Sequence, residues 1–182
     1  MQITETALPE VRILEPRLHG DARGFFMETW NARTFSGLGL DVDFVQDNHS
    51  RSSRGTLRGI HYQVVKPQGK LVRVTRGSVF DVAVDLRQSS PSFGRWVGVE
   101  LSEANHRMLW VPPGFGHGFY VTSETADFLY KCTDFYYPEH DRGVRWNDAG
   151  LDIKWPIPEG GSPELSAKDQ DAPLLRDAQL YD

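Results

Sequence analysis

Ser78-Val79-Phe80-Asp81-Val82-Ala83-Val84-Asp85-Leu86 alternates from one residue to the next. In an extended strand, residues two apart share a face. Phe80, Val82, Val84 and Leu86 then lie on one side, and Asp81 and Asp85 lie on the other with Val79 and Ala83. Similar short runs flank this one. Before it come Val11–Leu14, Phe25–Thr29, Phe44–Asn48, Leu57–Tyr62 and Leu71–Thr75; after it come Trp96–Leu101, Met108–Val111, Gly118–Thr122 and Ala126–Thr133. Gly, Pro, Asn and Ser separate them. Many short strands with turn signals every 8–12 residues or so predict an all-β sandwich or barrel. Helices are few and short. Asn31–Ser36, stopped by Gly37, is one, and Ser102–His106, opened by a Ser cap, is another. Beyond Trp155, the residues Pro156, Pro158, Gly160, Gly161 and Pro163 mark a loop-rich C-terminal segment, 156–182. Within it, Ser166-Ala167-Lys168-Asp169 reads as one capped helical turn. No repeat or linker divides the chain, so residues 1–182 are expected to form a single domain.

Composition narrows the function. Hydrophobic residues make up 39% and charged residues 25%, as in a soluble globular protein. A net charge of -5 disfavours a nonspecific grip on nucleic acid or an acidic membrane. Arg51, Arg54 and Arg58 still suggest a local basic pocket for a small phosphorylated ligand. The lone Cys132 excludes an intrachain disulfide and a zinc-type cysteine cluster. Met1–Glu10 has neither a basic nor an apolar leader region, and no stretch nears the roughly 18 apolar residues of a membrane helix. The expected compartment is the cytosol.

Four polar signals carry chemistry. Leu57-Arg58-Gly59-Ile60-His61-Tyr62-Gln63 follows the polar run Gln46-Asp47-Asn48-His49-Ser50. Plain alternation puts Leu57, His61 and Gln63 on one face and Arg58, Ile60 and Tyr62 on the other. An imidazole in a partly apolar interior suits a general base, though a lone buried His is more often a hydrogen-bonded core residue. Pro112-Pro113-Gly114-Phe115-Gly116-His117-Gly118-Phe119 is the second signal. Its P-x-G-x-x-H spacing resembles the second motif of cupins, with a Pro-Gly turn aiming His117 into a barrel. A metal-binding cupin also carries an H-x-H pair followed by Glu. Here that place reads His61-Tyr62-Gln63, with Lys66 and Lys70 beyond it, so no metal is expected. Gly69-Lys70-Leu71-Val72-Arg73 is the third signal, with Lys70 opening a strand beside that of His61. Its ammonium can stabilise a developing enolate, although most lysines are simply exposed. The fourth is Phe128-Leu129-Tyr130-Lys131, where a buried Tyr130 hydroxyl can serve as an acid. Phe135, Tyr136 and Tyr137 follow as an aromatic cluster suited to core packing or to a nucleobase. A base, an oxyanion stabiliser and an acid, without a Ser or Cys nucleophile or a dinucleotide motif, fit proton transfer beside a carbonyl. That chemistry needs no cofactor.

In order along the chain, several stretches together resemble the dTDP-4-dehydrorhamnose 3,5-epimerase family. They begin with Gly20-Asp21-Ala22-Arg23-Gly24-Phe25-Phe26-Met27-Glu28 and the two base-region runs. Gln68-Gly69-Lys70-Leu71-Val72-Arg73, Asp81–Arg87, Pro112–Phe119, Leu129-Tyr130-Lys131 and Leu165–Asp169 complete the set. The resemblance covers about Pro9 to Asp169. It implies a homodimer of cupin-type jelly rolls, with N-terminal strands exchanged, that inverts C3 and C5 of a dTDP-4-keto-6-deoxy sugar. By that likeness His61 is the base, Asp169 its partner, Lys70 the enolate holder and Tyr130 the acid. Gln46, Asn48, Arg58, His117 and Lys168 bind substrate; Arg23, Phe26 and Glu28 reach it across the dimer; Tyr136 stacks on thymine. Asp141 stands where the family carries Glu as a substrate contact. The competing readings are a mono-epimerase acting at C3 or C5 alone, a metal-dependent cupin oxygenase or isomerase, and a non-catalytic sugar-binding cupin. Tyr130 argues against the first, and His61-Tyr62-Gln63 against the second.

Overall fold

The computed structural model describes residues 1–182. In chain order the elements are β1 (Gln2–Glu5), β2 (Arg12–Glu15), β3 (Leu18–Asp21), β4 (Gly24–Met27), α1 (Ala32–Gly37), β5 (Gln46–Ser53) and β6 (Leu57–Gln63). They continue as β7 (Lys70–Arg76), β8 (Ser78–Asp85), β9 (Trp96–Ser102), β10 (Met108–Val111), β11 (Phe115–Val121), β12 (Thr125–Cys132), β13 (Asp141–Gly143) and α2 (Ala167–Gln170).

Two antiparallel sheets face each other. One has six strands in the order β1-β2-β10-β7-β12-β5, and the other has five in the order β13-β6-β11-β8-β9. From β5 to β8 each successive strand switches sheet, as does each from β9 to β12. The expected cupin-like β-sandwich is therefore what the chain forms. β3 and β4 make a separate hairpin.

The alternation of β8 separates two cores. Val79 and Ala83 face into the sandwich, where they join Val72, Val74, Val111, Phe119 and Phe128. Val82 and Val84, with Leu86 just beyond, face outward and are covered by Val144, Leu151, Ile153, Leu175 and Leu180 from the C-terminal part of the chain. Burial on both faces explains why six of the eight β8 residues are buried. A third cluster packs α1, through the fully buried Phe35, onto Leu14, Leu71 and Met108 on the outer face of the six-stranded sheet.

The helix expected over Ser102–His106 does not form. Ser102 ends β9, and its hydroxyl accepts the Asn105 N–H while the Asn105 side chain accepts the Ser102 N–H. These bonds close a single turn, and His106 then adopts a left-handed φ of 54°, which turns the chain into β10. The other two helices form as expected. Asn31 caps α1, and Ser166 caps α2 by accepting from the Asp169 N–H. β5 runs on to Ser53, although Gln46–Ser53 contains no apolar residue. It is an edge strand whose inner face meets a polar cavity rather than the core.

Candidate active site

At one end of the sandwich the sheets part around a cavity of about 310 Å³. His61 enters it from β6 in the five-stranded sheet. Lys70, Tyr130, Gln46 and Asn48 enter from β7, β12 and β5 in the six-stranded sheet. Strand register sets their order. Cys132 pairs with Gln46 on one side and Lys70 on the other, and Tyr130, one rank deeper, pairs with Asn48 and Val72. The sequence reading placed Lys70 beside the His61 strand. Instead β7 belongs to the opposite sheet, so Lys70 and His61 share the cavity from facing walls.

His61 Nε2 lies 2.5 Å from Asp169 Oδ1. The carboxylate is nearly inaccessible, while the imidazole side chain is 30% exposed toward the cavity. The Ser166 hydroxyl donates to Asp169 Oδ2 at 2.7 Å, so the residue that caps α2 also orients the dyad. Burial by itself would raise the Asp169 carboxyl; hydrogen bonds from His61, Ser166 and the Gly59 N–H outweigh it and hold the group below its usual value. An ionised carboxylate only accepts. Nε2 therefore carries a proton, and Nδ1 is the nitrogen left to face the cavity's ligand.

The ammonium of Lys70 makes no hydrogen bond within the chain. Burial pulls it below its ordinary value, against the opposing pull of Cys132, Asp141 and Asp81; Lys168 adds to the depression. Burial also raises the Tyr130 phenol, aided by Cys132 and Asp141 and opposed by Arg58, so its proton is retained at neutral pH. The site thus sets an oriented imidazole against a lysine amine and a protonated phenol on the opposite wall.

Behind His61 lies a second His–carboxylate pair. His117 is the cross-strand partner of His61, and its Nε2 sits 2.9 and 3.0 Å from the two oxygens of Asp81. The Pro-Gly turn does aim His117 inward, and its ring stacks on Phe128 at a 28° interplanar angle. Burial raises the Asp81 carboxyl, opposed by His117 and Lys70. No three His, Cys, Asp or Glu side chains converge as an ion site.

Arg58 corrects the alternation. It pairs with Phe119, whereas His61 pairs with His117, so three steps on β6 match two on β11. This bulge at Gly59–Ile60 turns Arg58 to the inner face with His61, while Ile60 joins the outer core. Gly59 makes the bulge possible, since it has φ 122° and a Cβ there would lie 2.5 Å from the Gly118 Cα. The Arg58 Nε donates to the Ser52 hydroxyl at 3.1 Å.

Tyr136, half exposed at the mouth, donates its hydroxyl to Asp141 Oδ2 at 2.9 Å. Lys168 forms an ion pair with the same oxygen. Asp141 is therefore engaged by two neighbours of its own chain. Arg23, Phe26 and Glu28 are not in this cavity. Arg23 pairs with Asp21 in the β3–β4 hairpin, Phe26 is 70% exposed, and Glu28 accepts from Asn31 and Thr34. Gln63, Cys132 and Asp81 were not singled out as site residues, although alternation places each on the inner face of its strand.

The family model described as dTDP-4-dehydrorhamnose 3,5-epimerase matches residues 5–177. A dTDP-4-dehydrorhamnose 3,5-epimerase of Pseudomonas aeruginosa is 56% identical over 182 residues, covering 100% of this chain and 99% of that one. The crystal structure of a dTDP-6-deoxy-D-glucose-3,5-epimerase from Legionella pneumophila, in complex with dTDP-4-keto-L-rhamnose, superposes with a TM-score of 0.93 at 52% identity. That match covers 97% of this chain and 93% of the other. A 3'-monoepimerase from Streptomyces bikiniensis, in complex with dTDP-quinovose, is more distant, at 34% identity and a TM-score of 0.87 over 94% and 87% of the two chains.

Proposed function

This chain belongs to the dTDP-4-dehydrorhamnose 3,5-epimerase family, and from that membership we propose how its residues invert two carbons of one sugar. It is an isomerase that converts dTDP-4-dehydro-6-deoxy-D-glucose to dTDP-4-dehydro-L-rhamnose in dTDP-L-rhamnose biosynthesis. One observation carries the mechanism: His61 and Tyr130 approach a shared cavity from opposite sheets.

A C–H beside a ketone is a far weaker acid than imidazolium. Its proton can leave only where the enolate charge is met as it develops. In this reading His61 takes the proton from C3 or C5 through Nδ1, and Asp169 stabilises the imidazolium that results. Lys70, with no partner in its own chain, meets the enolate oxygen at C4. One such donor contributes about 3–4 kcal/mol in a site that excludes water. Inversion requires reprotonation from the other face, which Tyr130 supplies. C3 and C5 both flank the C4 ketone, so one enolate holder and one acid–base pair serve both centres. His117, held by Asp81, together with Gln46, Asn48 and Arg58, binds the sugar and diphosphate. Tyr136 stacks on the thymine, and Lys168 stands at the mouth. Asp141 completes that mouth where the family carries Glu.

The working form in this reading is a homodimer. The β3–β4 hairpin leaves Phe25 and Phe26 58% and 70% exposed. In a dimer, Arg23, Phe26 and Glu28 reach the partner's cavity, and the N-terminal strands exchange. The rest of residues 1–182 forms one domain, closed by the 156–182 segment. A soluble nucleotide-sugar substrate places the enzyme in the cytoplasm.

The test uses dTDP-4-dehydro-6-deoxy-D-glucose in deuterium oxide, with a coupled NADPH-dependent reductase to trap product. Deuterium at both C3 and C5 of a rhamnose product is expected. Label and inversion at one carbon alone would make the enzyme a mono-epimerase.

A further inference from the structure

Gln63 occupies the position at which a metal-binding cupin carries its second histidine, and here its side chain performs a different task. The residue is 3% exposed, and both ends of its amide are used. Nε2 donates to the Lys66 carbonyl at 2.8 Å and to the Phe135 carbonyl at 3.1 Å. Oε1 accepts the Tyr137 N–H at 2.8 Å. Two of these three bonds grip the main chain on either side of Tyr136. The Tyr136 N–H goes to Gln46 Oε1 at 2.9 Å, and the ring itself stays half exposed at the mouth.

We propose that Gln63 is a positioning residue for the nucleobase: it clamps residues 135 and 137 so that the Tyr136 ring stands ready as a stacking face. This rests on the reading that Tyr136 stacks on thymine. The physical reason is preorganisation. An aromatic ring on an exposed loop must otherwise be ordered when ligand binds, and that ordering lowers affinity. A buried amide donating to two carbonyls and accepting from one N–H completes the ordering beforehand. The clamp also joins the loop to β6, the strand that carries His61, and so fixes the distance between nucleotide subsite and base.

The experiment is a double-mutant cycle on the full-length protein, with dTDP affinity measured by calorimetry and kcat and KM measured separately. Tyr136→Ala is expected to weaken dTDP binding about fivefold or more, the scale of one lost base–aromatic stack. Gln63→Ala should weaken it similarly and raise KM more than it lowers kcat. Gln63→Met keeps the side chain's length but loses all three bonds, and should match Gln63→Ala; it carries the cycle if Gln63→Ala does not fold. In the Tyr136→Ala background, either change at Gln63 should cost less than about twofold further, because coupled residues are not additive. Equal losses in both backgrounds, or a kcat loss with dTDP affinity intact, would assign Gln63 to general structure and overturn the proposal. An unchanged dTDP affinity in Tyr136→Ala itself would instead remove the stacking reading, and the clamp with it.

Discussion

Replacing Lys70 by Met should separate activity from stability, moving them in opposite directions. The ammonium has no hydrogen-bond partner within the chain, and burial holds it below its ordinary value. A lysine whose folded value is depressed opposes folding while it is charged. The opposition is complete below the folded value and fades as pH rises toward that of a free lysine. Removing the charge should therefore leave the neutral-pH melting temperature unchanged or higher. Catalysis should collapse. The loss of one oxyanion donor, about 3–4 kcal/mol, corresponds to roughly a 10²–10³-fold fall in kcat, at 1.36 kcal/mol per tenfold. Deuterium exchange from solvent should fall equally at C3 and C5, since both carbanions deliver charge to the same C4 oxygen. Calorimetric melting, dTDP affinity and exchange followed by NMR provide the readouts. A near-normal rate would remove Lys70 from the mechanism. A large fall in melting temperature alongside lost activity would show that the ammonium supports the fold instead.

His61→Ala should lose solvent exchange at both carbons while binding dTDP within about threefold of wild type, as measured by calorimetry, because uniform binding and chemistry separate at a base. Tyr130→Phe should keep exchange at the first carbon but return the proton to the original face, so label enters without inversion; complete loss of exchange would place Tyr130 in the first step. Asp169→Asn should lower kcat milder than His61→Ala, by about 10–100-fold, the scale of general-base tuning. Because the folded Asp169 carboxyl titrates below its usual value, its stabilising contribution is present above the unfolded value and is lost as pH falls through the folded one. Denaturant midpoints across that acid range should therefore fall less steeply in Asp169→Asn than in wild type.

Much of this was legible from local pattern. The alternation of Ser78–Leu86 correctly separated an inward face from an outward one. The Pro112–Gly114 turn aimed His117 correctly, and Ser166 capped the turn expected of it. The failures share a physical source, which is that strand pairing is nonlocal. One bulge at Gly59–Ile60 moved Arg58 to the opposite face from the one simple counting gave. Nothing in Gly69–Arg73 tells which sheet β7 will join, so Lys70 was set beside His61 rather than across from it. β5 was cut short at Asn48 because a strand facing a wet cavity lacks the apolar residues that usually reveal one. The union of His61 with Asp169 came only through family likeness, since no spacing rule joins residues so far apart.

That separation bears on how the enzyme becomes active. His61 and its carboxylate partner lie 108 residues apart, and α2 comes after every strand of both sheets. On a ribosome, His61 emerges well before the carboxylate that orients it. Leu175 and Leu180, which cover Val82, Val84 and Leu86, follow Asp169 in the chain, so a product terminated before Asp169 would lack both the group that tunes its base and part of the cover over its outer core.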